Sequence, residues 1–146
     1  MKMRIPKRAG RASALGLVSM CALSATALVA VPAAAADGPL HHVRYTVTAD
    51  VPFYADIYFR DVDPPDWAAY SHDPYLFTPK VEAQVGPDQP WVRDVMLADP
   101  TSWALVVPTS GLNPTTPNFH CTLEIDGAVV KTNTGLKGAL CSIRNW

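Results

Sequence analysis

Beyond Ala36 this 146-residue sequence has no cluster of basic residues. Arg44, Arg60, Lys80, Arg93, Lys131, Lys137 and Arg144 stand singly among thirteen carboxylates, a net charge of −6. A phosphate-binding surface neutralises phosphates with grouped Lys and Arg, and anionic lipid surfaces attract the same groupings. Nucleic acid is therefore excluded as a partner. Cysteine is limited to Cys21, Cys121 and Cys141, with no closely spaced redox pair. Gly135-Leu136-Lys137-Gly138 is a turn rather than a phosphate cradle, because no helix follows it to supply amide donors. No serine occupies the strand-to-helix elbow of a hydrolase. After Ala36 no convincing 3.6-residue period of apolar positions is present either, and the length leaves room for one domain only.

What the amino end does have is an export pattern. Lys2, Arg4, Lys7, Arg8 and Arg11 precede an uncharged stretch from Ala12 to Ala36, which closes on Ala33-Ala34-Ala35-Ala36-Asp37. Residues 1–36 thus have the charge order and small-residue ending of a signal-peptide helix, with a mature start at Asp37 and a single domain over 37–146. The rival reading is an inner-membrane anchor formed by residues 12–36. Membrane contact is expected only in that case. Pro32 and the alanine run favour cleavage, and Met20 before Cys21 argues against a lipoprotein signal. The expected location is secreted, periplasmic or in the cell envelope.

Cleavage would leave Cys121 and Cys141 as the only cysteines, and an exported chain is expected to bridge them. A bridge closing nineteen intervening residues contributes roughly 3 kcal/mol on the chain-entropy model. The alternative is a two-thiol metal or redox site. Zinc requires further ligands, and His120 beside Cys121 points to the opposite face of a strand.

Alternation predicts most of the remaining structure. Val43, Tyr45, Val47 and Ala49 share one face of a strand, and Phe53, Ala55, Ile57 and Phe59 share one face of the next. Further strands are expected at 81–85, 91–98, 102–107 and 139–144, with Gly86-Pro87-Asp88-Gln89-Pro90 as a breaker between two of them. Phe119, Cys121, Leu123 and Ile125 alternate up to Asp126-Gly127, a type I′ hairpin signature before Ala128-Val129-Val130-Lys131. An unbroken ladder from that turn pairs Ile125 with Ala128, Leu123 with Val130 and Cys121 with Thr132. It places Glu124 and Lys131 diagonally on the solvent face. Seven to eight short strands define an all-β fold, an immunoglobulin-like antiparallel β-sandwich.

Candidate functional residues are few. His41-His42 at the mature amino end is expected to be a flexible terminus rather than a metal pair, since neighbours on a strand face opposite ways. The stretch 61–77 holds four carboxylates, His72 and the aromatic residues Trp67, Tyr70, Tyr75 and Phe77. It reads either as a loop packing its rings on the sandwich or as a partner-binding surface, and it lacks the spacing of a helix-flanked calcium loop. His72-Asp73 has no scaffold-placed nucleophile to form a triad. Trp91, Trp103 and Trp146 are expected to pack in the core or at an edge, Trp146 only by folding back.

Val43-Arg44-Tyr45-Thr46-Val47-Thr48, then Ala55-Asp56-Ile57-Tyr58 running into Asp61-Val62-Asp63, and Cys121 to Val130 followed by Cys141, are similar to the mycobacterial membrane protein small (MmpS) family. The resemblance implies a β-sandwich outside the inner membrane, a carboxyl-side bridge matched by Cys121 and Cys141, and an accessory role beside RND-type exporters of lipids or siderophores. The chain departs from that pattern in its cleavable signal and its more aromatic loop. The resulting expectation is an exported, non-enzymatic binding or accessory protein with no cofactor, metal or catalytic residue. Its partner would be an RND-type transporter, another envelope protein or an apolar metabolite. The alternatives are a structural envelope protein and an unrecognised hydrolase.

Overall fold

The computed structural model describes residues 38–146. The expected signal segment, 1–36, lies outside them. Among the described residues no helix is long and apolar enough to cross a membrane.

Period-2 alternation produces the two strands that open the fold. In β1 (His41–Ala49) the residues Val43, Tyr45, Val47 and Ala49 are buried, and in β2 (Phe53–Phe59) so are Ala55, Ile57 and Phe59. The intervening residues form the opposite faces. β1 and β2 do not pair with each other but found two sheets. In the first, β1 lies between β4 (Trp91–Leu97) and β6 (Phe119–Ile125), and β7 (Ala128–Gly135) forms the far edge. In the second, β2 lies between β3 (Lys80–Val85) and β5 (Leu105–Thr109), with β8 (Cys141–Ser142) beyond β5. All pairs are antiparallel. The sheets enclose one core, in which Phe53 meets Phe119 edge-on at 5.8 Å. Fully burying a side chain such as Ile57 or Leu123 contributes about 1.5–3 kcal/mol. The expected antiparallel β-sandwich is the fold present, with eight strands.

Cys121 of β6 and Cys141 of β8 are joined by a disulfide with Cα atoms 6.0 Å apart. It links one sheet to the other. Both cysteines are buried, as their shared face with Leu123 and Ala139 anticipates.

Several local expectations are corrected. His41 and His42 are not a loose terminus; they pair with Leu97 and Met96 across β1 and β4. The strand expected at 102–107 begins only at Leu105, because Asp99 caps a short helix, α2 (Pro100–Trp103), by accepting from the Ser102 amide, with Pro100 in its first turn. The last strand shrinks to Cys141–Ser142. Stretch 61–77 is partly helical: α1 (Trp67–His72) is capped by Asp66, and a 3-10 turn over Pro74–Leu76 is capped by Asp73.

The hairpin turn is as expected, with positive φ at Asp126 (50°) and Gly127 (83°). Its ladder is not. A bulge between Leu123 and Glu124 leaves Ile125 opposite Ala128 but sets Leu123 against Lys131 and Cys121 against Asn133. The extra residue in β7 removes Lys131 from the solvent-face partnership with Glu124 and re-aims it to the face of the disulfide. At the other end of β7, Gly135 is required by close approach, since a Cβ there would lie 1.9 Å from the Gly138 carbonyl oxygen.

Candidate functional site

The outer face of the second sheet carries an apolar groove, and its floor follows from strand register. Tyr58 of β2 and Val107 of β5 are cross-strand partners on that face, with Leu105 two residues before Val107. The segment 66–78 returns over them. The resulting groove, about 450 Å³, is walled by Tyr58, Tyr75, Leu105, Val107, Leu140 and Trp146. Tyr75 is 75% exposed and its ring lies 6.4 Å from that of Tyr58. Thr78 also lines the groove, and its buried Oγ1 has no hydrogen-bond partner among the described residues. A concave apolar surface with one or two fixed polar points is the usual form of a small-molecule site, within the common range of about 300–1,000 Å³.

One end of the groove rests on a cluster of rings around two arginines. Trp67 and Tyr70 of α1, Trp103 of α2 and Trp146 lie with ring centres 5.3 to 6.3 Å apart. Arg60, just after β2, is fully buried beneath them. Its Nη1 donates to the Phe77 carbonyl at 2.9 Å and its Nε to the Trp103 carbonyl at 3.2 Å. The guanidinium carbon sits 4.6 Å from the Tyr70 ring centre and 5.7 Å from those of Trp103 and Trp146. Burial pulls the guanidinium below its ordinary pKa, with Tyr70 opposing. Tyr45 closes the base, donating its hydroxyl to the Arg60 carbonyl at 2.9 Å. Burial pushes that phenol upward. Arg144 also meets the cluster, 4.2 Å from the Trp67 ring centre.

The loop residues singled out by sequence divide accordingly. Trp67 and Tyr70 enter the ring cluster, and Tyr70 and Tyr75 line the groove. Phe77 contributes chiefly a backbone carbonyl to Arg60. His72 is exposed at the end of α1 and takes part in none of the ion pairs among the described residues. The sequence reading missed Arg60, Arg144 and the convergence of Trp103 and Trp146. One available signal was that alternation places Arg60 on the same face as Tyr58, directly before an aromatic segment able to fold over it.

The carboxylates of this stretch do not converge. Asp63 accepts from the Ala98 and Asp99 amides at 2.7 and 3.0 Å, tying the segment to the end of β4, while Asp66 and Asp73 cap their helical turns. Among the described residues no group of three or more His, Cys, Asp or Glu is arranged to hold a metal ion.

The outer face of the first sheet is polar by contrast. His42 and Arg44 both meet Asp94 at 2.8 Å, His41 meets Asp126 at 2.6 Å in the turn, and His120 meets Asp50 at 2.6 Å. Hydrogen bonds hold all three carboxylates below the usual range: from Arg44 to Asp94, from His41 to Asp126, and from Asn118 and then His120 to Asp50. A carboxylate depressed in the fold stabilises it above the unfolded value of about 3.9, and that stability is lost as pH falls through the lower folded value. Thermal unfolding by circular dichroism should therefore show a midpoint that is level near pH 5–6 and drops below about pH 4. Asp94→Asn should make that acid drop shallower. A midpoint unchanged at about pH 3 would contradict the pairing.

Residues 45–141 match the family model of the Rv2576c beta-sandwich domain. The chain is 35% identical over 135 residues to the uncharacterized protein Rv2576c of Mycobacterium tuberculosis, covering 92% of this chain and 86% of that relative. The same figures hold for the uncharacterized protein Mb2606c of Mycobacterium bovis. The MmpS resemblance is thereby corrected: the family that matches is a different one.

Proposed function

We propose that this chain, which belongs to the Rv2576c beta-sandwich domain family, is a non-enzymatic binding protein that takes an apolar molecule into the groove on the outer face of its second sheet. The observation that carries the reading is the groove itself, about 450 Å³ between Tyr58, Tyr75, Val107 and Trp146. An open apolar surface of this kind loses water favourably when an apolar chain covers it, by roughly 25 cal/mol per Å² removed from water. The basic, then uncharged, then alanine-rich residues 1–36 and the bridged Cys121 and Cys141 support a site of action in the cell envelope or outside it. Only the MmpS resemblance pointed to an RND-type exporter, and it forms no part of the proposal.

Tryptophan emission provides the test, because Trp146 is a groove wall. Titration with decanol below its solubility limit should shift or quench the emission saturably. Val107→Glu places a charge on the floor, and the expected consequence is binding weakened by at least about tenfold, or 1.4 kcal/mol. Equal affinity for the two proteins would remove the groove from the function.

A further inference from the structure

A second, polar pocket of about 210 Å³ adjoins the groove and shares Leu140 and Trp146 with it. Its other walls include Lys131, Asn133, Ser142 and Arg144. Taking the apolar groove as the binding site, we propose that its ligand is a monomeric single-chain amphiphile with an anionic head, a carboxylate or phosphate, held by Lys131 and Arg144 while its chain lies in the groove.

Three observations carry this. The ion pairs among the described residues engage His41, His42, Arg44, Lys80 and His120, and neither Lys131 nor Arg144 is among them. Two uncompensated cations therefore share one small pocket in a chain whose net charge after Ala36 is −6. The second observation is the placement of Arg144. Its guanidinium lies 4.2 Å from the centre of the Trp67 ring and 5.1 Å from that of Trp146, and it makes no side-chain hydrogen bond among the described residues. Contact with aromatic rings does not use up the N–H donors of a guanidinium, which remain for an acceptor such as a carboxylate or phosphate. The third is the bulge in the β6–β7 ladder. It sets Lys131 and Asn133 opposite Leu123 and Cys121, on the inward side, where an unbroken ladder would have put Val130 and Thr132. The Asn133 side chain also donates to the Leu140 carbonyl at 3.0 Å, which fixes the wall between the two pockets.

Calorimetric titration of the full chain with decanoate and with decanol, both below their critical micelle concentrations, tests the proposal. Decanoate should bind about tenfold more tightly than decanol, and its advantage should shrink with added salt. Lys131→Gln, an exposed change on an edge strand, should remove most of the advantage and leave decanol binding unchanged; Lys131→Gln with Arg144→Gln should remove all of it, so that whatever affinity the altered ring cluster leaves is the same for decanoate and decanol. Equal binding of both probes by the wild type would overturn the anionic head site while leaving the groove reading intact. Binding of neither probe would overturn both. Co-sedimentation with anionic phospholipid vesicles, lost in the double variant, would assign the two cations to a bilayer surface instead and would equally overturn the proposal; the protein is expected to stay in the supernatant.

Discussion

Arg60→Ala is expected to lower the unfolding free energy by about 3 kcal/mol or more, through loss of a large buried side chain and of its hydrogen bonds to two carbonyls. Arg60 is fully buried, and the carbonyls it serves belong to Phe77 and Trp103, one in each of two segments that lie over the second sheet. The arginine thus holds the 66–78 segment and α2 against the end of β2. An ionised guanidinium is costly to bury. Here three aromatic rings and two carbonyls offset part of that cost, while the buried Nη2 has no hydrogen-bond partner among the described residues. Arg60→Met retains much of the volume but none of the hydrogen bonds, and should cost about half as much as alanine. Because Tyr75 sits on the tethered segment, both variants should also weaken probe binding in the groove. Urea unfolding of the three proteins gives the measurement. A loss below about 1 kcal/mol for Arg60→Ala would show that the ring cluster does not depend on its buried cation.

Removing the disulfide should have a comparable effect. Joining Cys121 and Cys141 constrains the unfolded chain by roughly 3 kcal/mol, within the usual range of about 2–5 for native bridges. Its structural role is larger than that number suggests. β8 pairs with β5 through Leu105–Ser142 and Val106–Cys141, a short ladder continued by the Ala139 amide donating to the Pro108 carbonyl, and the bridge adds a covalent tether to the segment that carries Arg144 and Trp146. The double variant Cys121→Ala with Cys141→Ala should lose about 3 kcal/mol of stability and much of the near-ultraviolet circular dichroism from the tryptophan cluster. Far-ultraviolet signal should persist, since six of the eight strands contain neither cysteine. An unaltered near-ultraviolet spectrum would mean that Trp146 is held by the rings alone.

How far these features were legible in the sequence depends on the range of the forces that set them. β1, β2 and β6 each have one buried and one outward face, so alternation alone located them and grouped Val43, Ile57 and Leu123 with the neighbours that share their buried faces. Asp126-Gly127 declared the turn because its backbone needs positive φ at both positions. The bulge beyond it was not legible: Val130 and Lys131 are both compatible with a strand, and which one faces inward is decided by the opposing sheet. Asp99-Pro100 did carry a helix-start signal, overshadowed by the apolar run 103–107. The aromatic loop was visible as a composition, but its counterparts are remote in the chain, Trp103 lying 43 positions from Arg60. The MmpS resemblance failed for a related reason. Alternating strands, an Asp-Gly turn and a carboxyl-side cysteine pair are shared by many disulfide-tied sandwiches, so they report architecture more than descent.

The central claim is that the outer face of the second sheet, rather than the polar face of the first, receives an apolar ligand. Nuclear magnetic resonance of the nitrogen-15-labelled protein titrated with decanol tests it most directly. Saturable shifts of the Trp146 indole and of the Tyr58, Tyr75 and Val107 amides are predicted, with Thr46, Asp94 and Thr122 unmoved. Shifts confined to those last three residues, or none anywhere, would contradict the account.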